Sequence, residues 1–206
     1  MKILLNNTTE FVPPLVNIAD VESIKRSIFD QEYFRYITEI SNGGFYFNRS
    51  LHLYGFCHTP SFHNIIEVNN FFSKEYKMIA DGKFVFGQDV LSNQFAFAAN
   101  GVFSINTETG DSDFLARNFS EWLELLSEDT EYLTGINLLQ TWESAQYKLQ
   151  YDQRLCAKKP FIIGGEYSID NLYAQVYPKY LSSNANIARQ IYGKPDGTKI
   201  IFETID

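Results

Sequence analysis

Apolar positions along the chain recur with two different periods, and the switches between them mark the elements. Val21, Ile24, Ile28 and Phe29 fall at helical spacing behind Asp20, the expected N-cap. Tyr33, Phe34, Ile37 and Ile40 repeat the pattern after Asp30, and Gly43-Gly44 supplies a left-handed stop and a turn. Ring-rich runs at Phe45 to Phe47 and Leu51 to Phe56, bounded by polar or glycine residues, predict short strands. Ser61 is placed to cap a helix bearing Ile65, Ile66, Phe71 and Phe72.

The middle third changes to strand-like runs: Phe84 to Phe86, Gln94 to Ala98 and Val102 to Ile105. Asn100-Gly101 between the last two predicts a hairpin turn with both central residues at positive φ. An antiparallel meander follows from this spacing. Ser120 then opens a short amphipathic helix through Leu126, and Leu138 to Leu149 reads as another, with Leu139, Trp142, Tyr147 and Leu149 apolar. Asn171 to Tyr177 reads as a strand, Ala185 to Tyr192 as a helix and Lys199 to Ile205 as a closing strand after a Pro195-Asp196-Gly197 turn. With no repeat or linker, the expected architecture is α+β: a single domain over 1–206 with a mainly antiparallel twisted sheet flanked by helices. Its core lies at about 20–127, and a C-terminal extension from about 151 packs on it.

Composition sharpens this picture. The 206 residues include 18 Phe and 13 Tyr, so the core is expected to be built on rings. The N-terminal apolar run, Ile3-Leu4-Leu5, is too short for a secretory signal, and Cys57 and Cys156 are too few for a disulfide framework. A cytoplasmic protein without membrane association is expected, so the Asn-x-Ser/Thr triplets at Asn6, Asn7, Asn48 and Asn118 are read as chance matches. The net charge of −8 disfavours nucleic acid as a partner, since that affinity rests on neutralising phosphates. Residues 101–131 hold eight carboxylates against Arg117 alone, while the rest is nearly balanced at 17 acidic and 16 basic residues.

Four landmarks in order resemble the SUKH superfamily, which contains Smi/Knr-type regulators of fungal glucan synthesis and many bacterial immunity proteins. They are the helix ending in Ser41-Asn42-Gly43-Gly44, the run Phe84-Val85-Phe86-Gly87-Gln88-Asp89 with Asn93-Gln94-Phe95-Ala96-Phe97, the hairpin Gly101 to Gly110, and Phe119-Ser120-Glu121-Trp122-Leu123. The tail, with Pro160 to Tyr167, Asn171-Leu172 and Pro195 to Thr198, looks like that of longer bacterial members. Ser92 departs from the pattern, standing where similar sequences often have Gly. Gly87 and Asn93 are expected to let the chain turn between strands, with Phe86, Phe95 and Phe97 filling one side of the sheet. The resemblance implies a scaffold used for protein binding, with no catalytic residues to carry over.

His52, Cys57, His58 and His63 gather metal-ligand types within twelve residues, but without a Cys-x2-Cys or His-x3-His spacing. A strand displaying His52 and a loop carrying the others is the expectation, with no metal and no cofactor. Asp111 and Asp113 lack the alternating ligands of a calcium loop. Phosphate-binding and serine-nucleophile motifs are missing, and Cys57 is expected to be inert. No enzymatic activity is expected. The acidic segment reads either as a solvated face or as a docking surface for a basic protein, with Glu108, Asp111, Asp113, Glu128, Asp129 and Glu131 as partner-binding residues. An immunity protein that occludes a basic toxin domain encoded nearby, such as a nuclease, is the first functional expectation, and a regulatory scaffold of cell-wall machinery the second.

Overall fold

A computed structural model describes residues 1–59, 61–145 and 148–201. Seven strands pair antiparallel in sequence order: β1 (Thr8–Phe11), β2 (Gly44–Tyr46), β3 (Leu51–Leu53), β4 (Phe84–Gln88), β5 (Gln94–Ala98), β6 (Gly101–Ile105) and β7 (Ser112–Ala116). A separate hairpin of β8 (Gln153–Ala157) and β9 (Leu172–Val176) belongs to the C-terminal third. The fold is α+β, as the sequence indicates.

Both faces of the main sheet are covered, which is why its strands read as apolar runs without clean alternation. On one face a bulge between Val85 and Gly87 lets Phe86 join Phe95 and Phe97. Their rings meet Tyr33 of α3 (Gln31–Arg35) and Phe119 and Trp122 of α5 (Phe119–Glu128), with Phe86 and Phe97 4.3 Å apart. Phe86, Phe95, Phe97 and Trp122 are all buried. The opposite face lies under α4 (Ile65–Tyr76) and α8 (Lys179–Ile191). There Asn69 of α4 holds both main-chain groups of Val85, and Tyr180 and Leu181 of α8 enter the same core. The C-terminal part thus shares the core of the sheet. A second cluster, with Val90, Trp142, Leu149, Leu155 and Leu172, seats α7 (Ile136–Ala145) against β8 and β9.

Several sequence expectations shift. Asn17, not Asp20, caps α2 (Ile18–Lys25); Asn64, not Ser61, caps α4; Asn118, not Ser120, caps α5. Phe29 is exposed instead of packed. The helix after Asp30 covers Gln31–Arg35 and continues as a wider π turn over Tyr36–Ile40. The predicted helix from Leu138 to Leu149 instead begins at Ile136 and ends at Ala145, with Tyr147 outside the described residues. Helix α8 begins at Lys179, earlier than expected. Residues Lys199 to Ile201 form no strand, and the rest of the predicted closing strand lies outside the described residues.

The hairpin after β5 forms, but its central residues are Ala99 and Asn100, and only Gly101 is at positive φ, 142°. A Cβ at Gly101 would fall 2.7 Å from the ring of Phe114. Gly87 makes no turn. It lies within β4 opposite Leu53, where a Cβ would stand 2.8 Å from the His52 carbonyl oxygen. Ser92 sits at φ 69°, in the left-handed region that favours glycine, so a serine there carries backbone strain.

Burial ranks the rings. Phe86→Ala or Trp122→Ala is expected to lower unfolding free energy by about 3–5 kcal/mol, whereas Phe114→Ala, at a half-exposed position on the edge strand β7, is expected to cost less than about 1 kcal/mol. Urea midpoints of the three variants check this, and equal small losses would contradict the two-faced core.

Candidate functional site

The histidine and cysteine cluster separates in space. His52 is buried in β3, stacked on Phe45 with ring centres 4.1 Å apart. Its Nε2 lies 3.0 Å from Nδ1 of His63, and Nε2 of His63 lies 2.9 Å from the carbonyl oxygen of Asn42. A carbonyl only accepts, so His63 carries its proton on Nε2, and its Nδ1 must accept from His52 Nε2–H. That leaves Nδ1 of His52 to accept from the Gln88 amide at 3.3 Å. Both rings are thereby neutral donors and acceptors in one chain. Burial pushes both pKa values down, and for His52 the Arg154 guanidinium and His63 add to the effect. Cys57 instead faces Thr59 and Ser61, and His58 is exposed beside Asp20. Among the described residues no three such side chains converge on a metal position.

The chain of hydrogen bonds continues past Gln88. Its amide also donates to the Tyr180 hydroxyl at 3.0 Å, and its Oε1 accepts from Gln94, whose own Oε1 accepts from Tyr54 at 2.8 Å. Arg154 of β8 is fully buried nearby over the Phe45 ring, and its Nη1 donates to the Gln153 carbonyl. This relay was not visible from motifs. Its only sequence trace is polar residues at strand positions His52, Gln88 and Gln94, which a doubly covered sheet forces inward.

The acidic residues divide. Asn93 Oδ1 accepts from the Thr107 amide, and the Val90 amide donates to Thr134 of α6 (Thr130–Thr134). These bonds gather the β4–β5 and β6–β7 connections and the end of α6 at one end of the sheet. Asp111, Asp113, Glu124, Glu128, Asp129 and Glu131 are exposed. Asp129 caps α6 through the Tyr132 amide, and Glu131 accepts from the Asn137 amide. Glu108 departs from the expected surface set: it is buried, and its two oxygens accept from the amides of Phe161 and Ile162 at 2.8 and 3.2 Å. An Asx turn explains the reversal, since Asn106 Oδ1 takes the amides of Glu108 and Thr109 and turns the chain. Burial raises the pKa of Glu108.

Beside Glu108 opens a cavity of about 450 Å³ between the sheet end, the β8–β9 hairpin and α8. Asn106, Lys158, Phe161, Tyr167, Ser183 and Asn186 stand in its wall. Cys156 also reaches it, but burial pushes its thiol up to about 12, which makes it a poor nucleophile.

Asp89, in the β4–β5 connection, accepts both the main-chain and side-chain N–H of Asn93, and burial still pushes its pKa up to about 7. A folded pKa above the unfolded value near 3.9 means that the associated stability is complete below about pH 4 and lost as pH rises through about 7. The buried histidines act oppositely, losing stability as pH falls below about 6.5. Asp89→Asn is therefore expected to flatten the loss on the way up: the wild-type advantage over the variant shrinks by on the order of 4 kcal/mol between about pH 4 and pH 8. Denaturant titrations across that range measure it, and a difference independent of pH would refute the assignment.

No protein-family model and no curated protein matches the chain. Among the described residues no helix is long and apolar enough to cross a membrane. The crystal structure of Atu4351 from Agrobacterium tumefaciens is similar in fold, with a TM-score of 0.56 over 86% of this chain and 84% of that one, at 13% identity.

Proposed function

We propose that the chain is a non-enzymatic protein-binding module that docks a basic protein partner on the acidic end of its sheet, as an immunity protein occluding a cognate toxin domain. The observation that carries the reading is the run of exposed carboxylates from the β6–β7 connection through α5 to α6. Among the described residues, Asp111, Asp113, Glu124, Glu128, Asp129 and Glu131 form no ion pair with a lysine, arginine or histidine. Arg117, the single cation of the segment, is engaged by Glu121. Unneutralised charge of one sign raises encounter rates with the opposite sign and disfavours wrong partners. The resemblance to the SUKH superfamily supports the same reading, because that family includes immunity proteins.

The proposed docking set differs from the six residues that the sequence suggests: Glu108 leaves it, and the exposed Glu124 joins it. Glu108 belongs to the interior, and Asp129 and Glu131 also cap backbone amides, so charge can be reversed cleanly at Asp111, Asp113, Glu124 and Glu128. Lysine at Glu128 falls at the C-terminal end of α5, where a positive charge is favoured.

The test is association with a basic toxin domain encoded beside this gene, measured at low and moderate salt. A variant with those four residues changed to lysine is expected to associate at least about tenfold more slowly at low salt and to lose most of the salt dependence. Its stability is expected to change by less than about 0.5 kcal/mol per site. Equal association rates for variant and wild type would reduce the acidic end to a solvated face.

A further inference from the structure

The cavity beside Glu108 has a chemistry of its own, and the geometry points to a binding site for a neutral, hydroxyl-rich small molecule of mono- to disaccharide size. It goes beyond the protein-docking reading, since it uses other residues and a concave site.

Size comes first. About 450 Å³ lies within the range of small-molecule pockets. Charge comes second: the wall carries the Glu108 carboxylate and the Lys158 ammonium, so it offers no net charge to a phosphate or a polyanion. Each Glu108 oxygen is held by one backbone amide, which leaves a further lone pair on each. Lys158 donates to the Asp170 carbonyl at 2.8 Å, which leaves two of its three N–H groups.

The hydrogen-bonding inventory decides the class. Asn106 uses its Oδ1 for the Glu108 and Thr109 amides, and Asn186 uses its Oδ1 for the Gln190 amide at 2.7 Å. Among the described residues, the side-chain N–H groups of both, and the hydroxyls of Ser183 and Tyr167, have no protein partner. The wall therefore presents both donors and acceptors, from elements that approach it on three sides. A hydroxyl is the ligand group that both donates and accepts, so a polyhydroxylated molecule is the complement.

Aromatic geometry points the same way. Phe161 and Tyr167 stack on each other, with ring centres 4.0 Å apart and planes 4° apart, so no slot exists between them for a flat base. Tyr167 is 66% exposed and sits at the cavity mouth with its outer ring open to solvent. An open ring face beside planar amides suits the C–H face of a pyranose. Glu108 acts as a positioning residue, because its two bonds to the Phe161 and Ile162 amides hold this ring pair against the sheet.

Ligand-observed NMR and calorimetry on the intact chain test the site, with glucose, galactose, N-acetylglucosamine and lactose as probes and uridine monophosphate and trialanine as comparators. At least one sugar is expected to bind with a Kd below about 5 mM. Tyr167→Ala is expected to weaken it about tenfold and Ser183→Ala about threefold, while Tyr167→Phe retains most of the binding. The four-site lysine variant of the acidic end is expected to bind sugar like wild type, which separates this site from the docking surface. Three results would overturn the inference: no sugar bound below about 10 mM, binding indifferent to both Tyr167→Ala and Ser183→Ala, or tighter binding of the nucleotide or the tripeptide. Unchanged thermal midpoints of the variants show that the fold is intact in each case.

Discussion

The central constraint on this molecule is that its antiparallel sheet is buried on both sides. One face is dry and aromatic, where Phe86, Phe95, Phe97 and Trp122 interlock. The other carries polar side chains that cannot reach water, and most of them find a partner within the protein, although Nε and Nη2 of the buried Arg154 do not. The relay from Asn42 through His63, His52 and Gln88 to Tyr180, with Gln94 and Tyr54 alongside, is the solution. It fixes the tautomers of two histidines, and it ties α8 to the sheet.

That constraint also explains the placement of the two candidate surfaces. With both faces covered, the free surface of the sheet is reduced to its edges and ends. The exposed carboxylates and the cavity occupy the same end, built from the connections after β4 and β6. Glu108 separates them: it begins in the acidic segment and ends as the anchor of the cavity wall.

Much of the core was legible in the chain, and the misses have physical causes. The ring-rich runs gave β4, β5 and β6 because aromatic side chains signal strands even without alternation. Strands β1, β7 and β8 carry weaker signals, since Thr8–Phe11 is mostly polar, Ser112–Ala116 is a short edge segment that opens on two polar residues, and Gln153–Ala157 pairs with a strand beyond a long connection. The caps were misplaced by two or three residues although a signal was present. Asn17, Asn64 and Asn118 each precede an acidic residue by three positions, Asp20, Glu67 and Glu121, which is the spacing of an N-cap and its third helical residue. For the candidate sites, the exposed carboxylates followed from local charge density. The inward turn of Glu108 did not, because its partners lie 53 and 54 residues away. The cavity was invisible for the same reason, being assembled from four distant segments.

The covering of the polar face by α8 has a consequence for how the chain is made. During synthesis the seven strands emerge first, and the helices that seal the aromatic face, α3 and α5, are released with them. Tyr180, the partner of Gln88, leaves the ribosome roughly ninety residues after it. For that interval the nascent sheet holds one finished side and one side that α4 covers only in part, with Gln88 still without its Tyr180 partner. The order of translation thus makes the last helix the closing step of folding, and until it arrives the open face is available to chaperones.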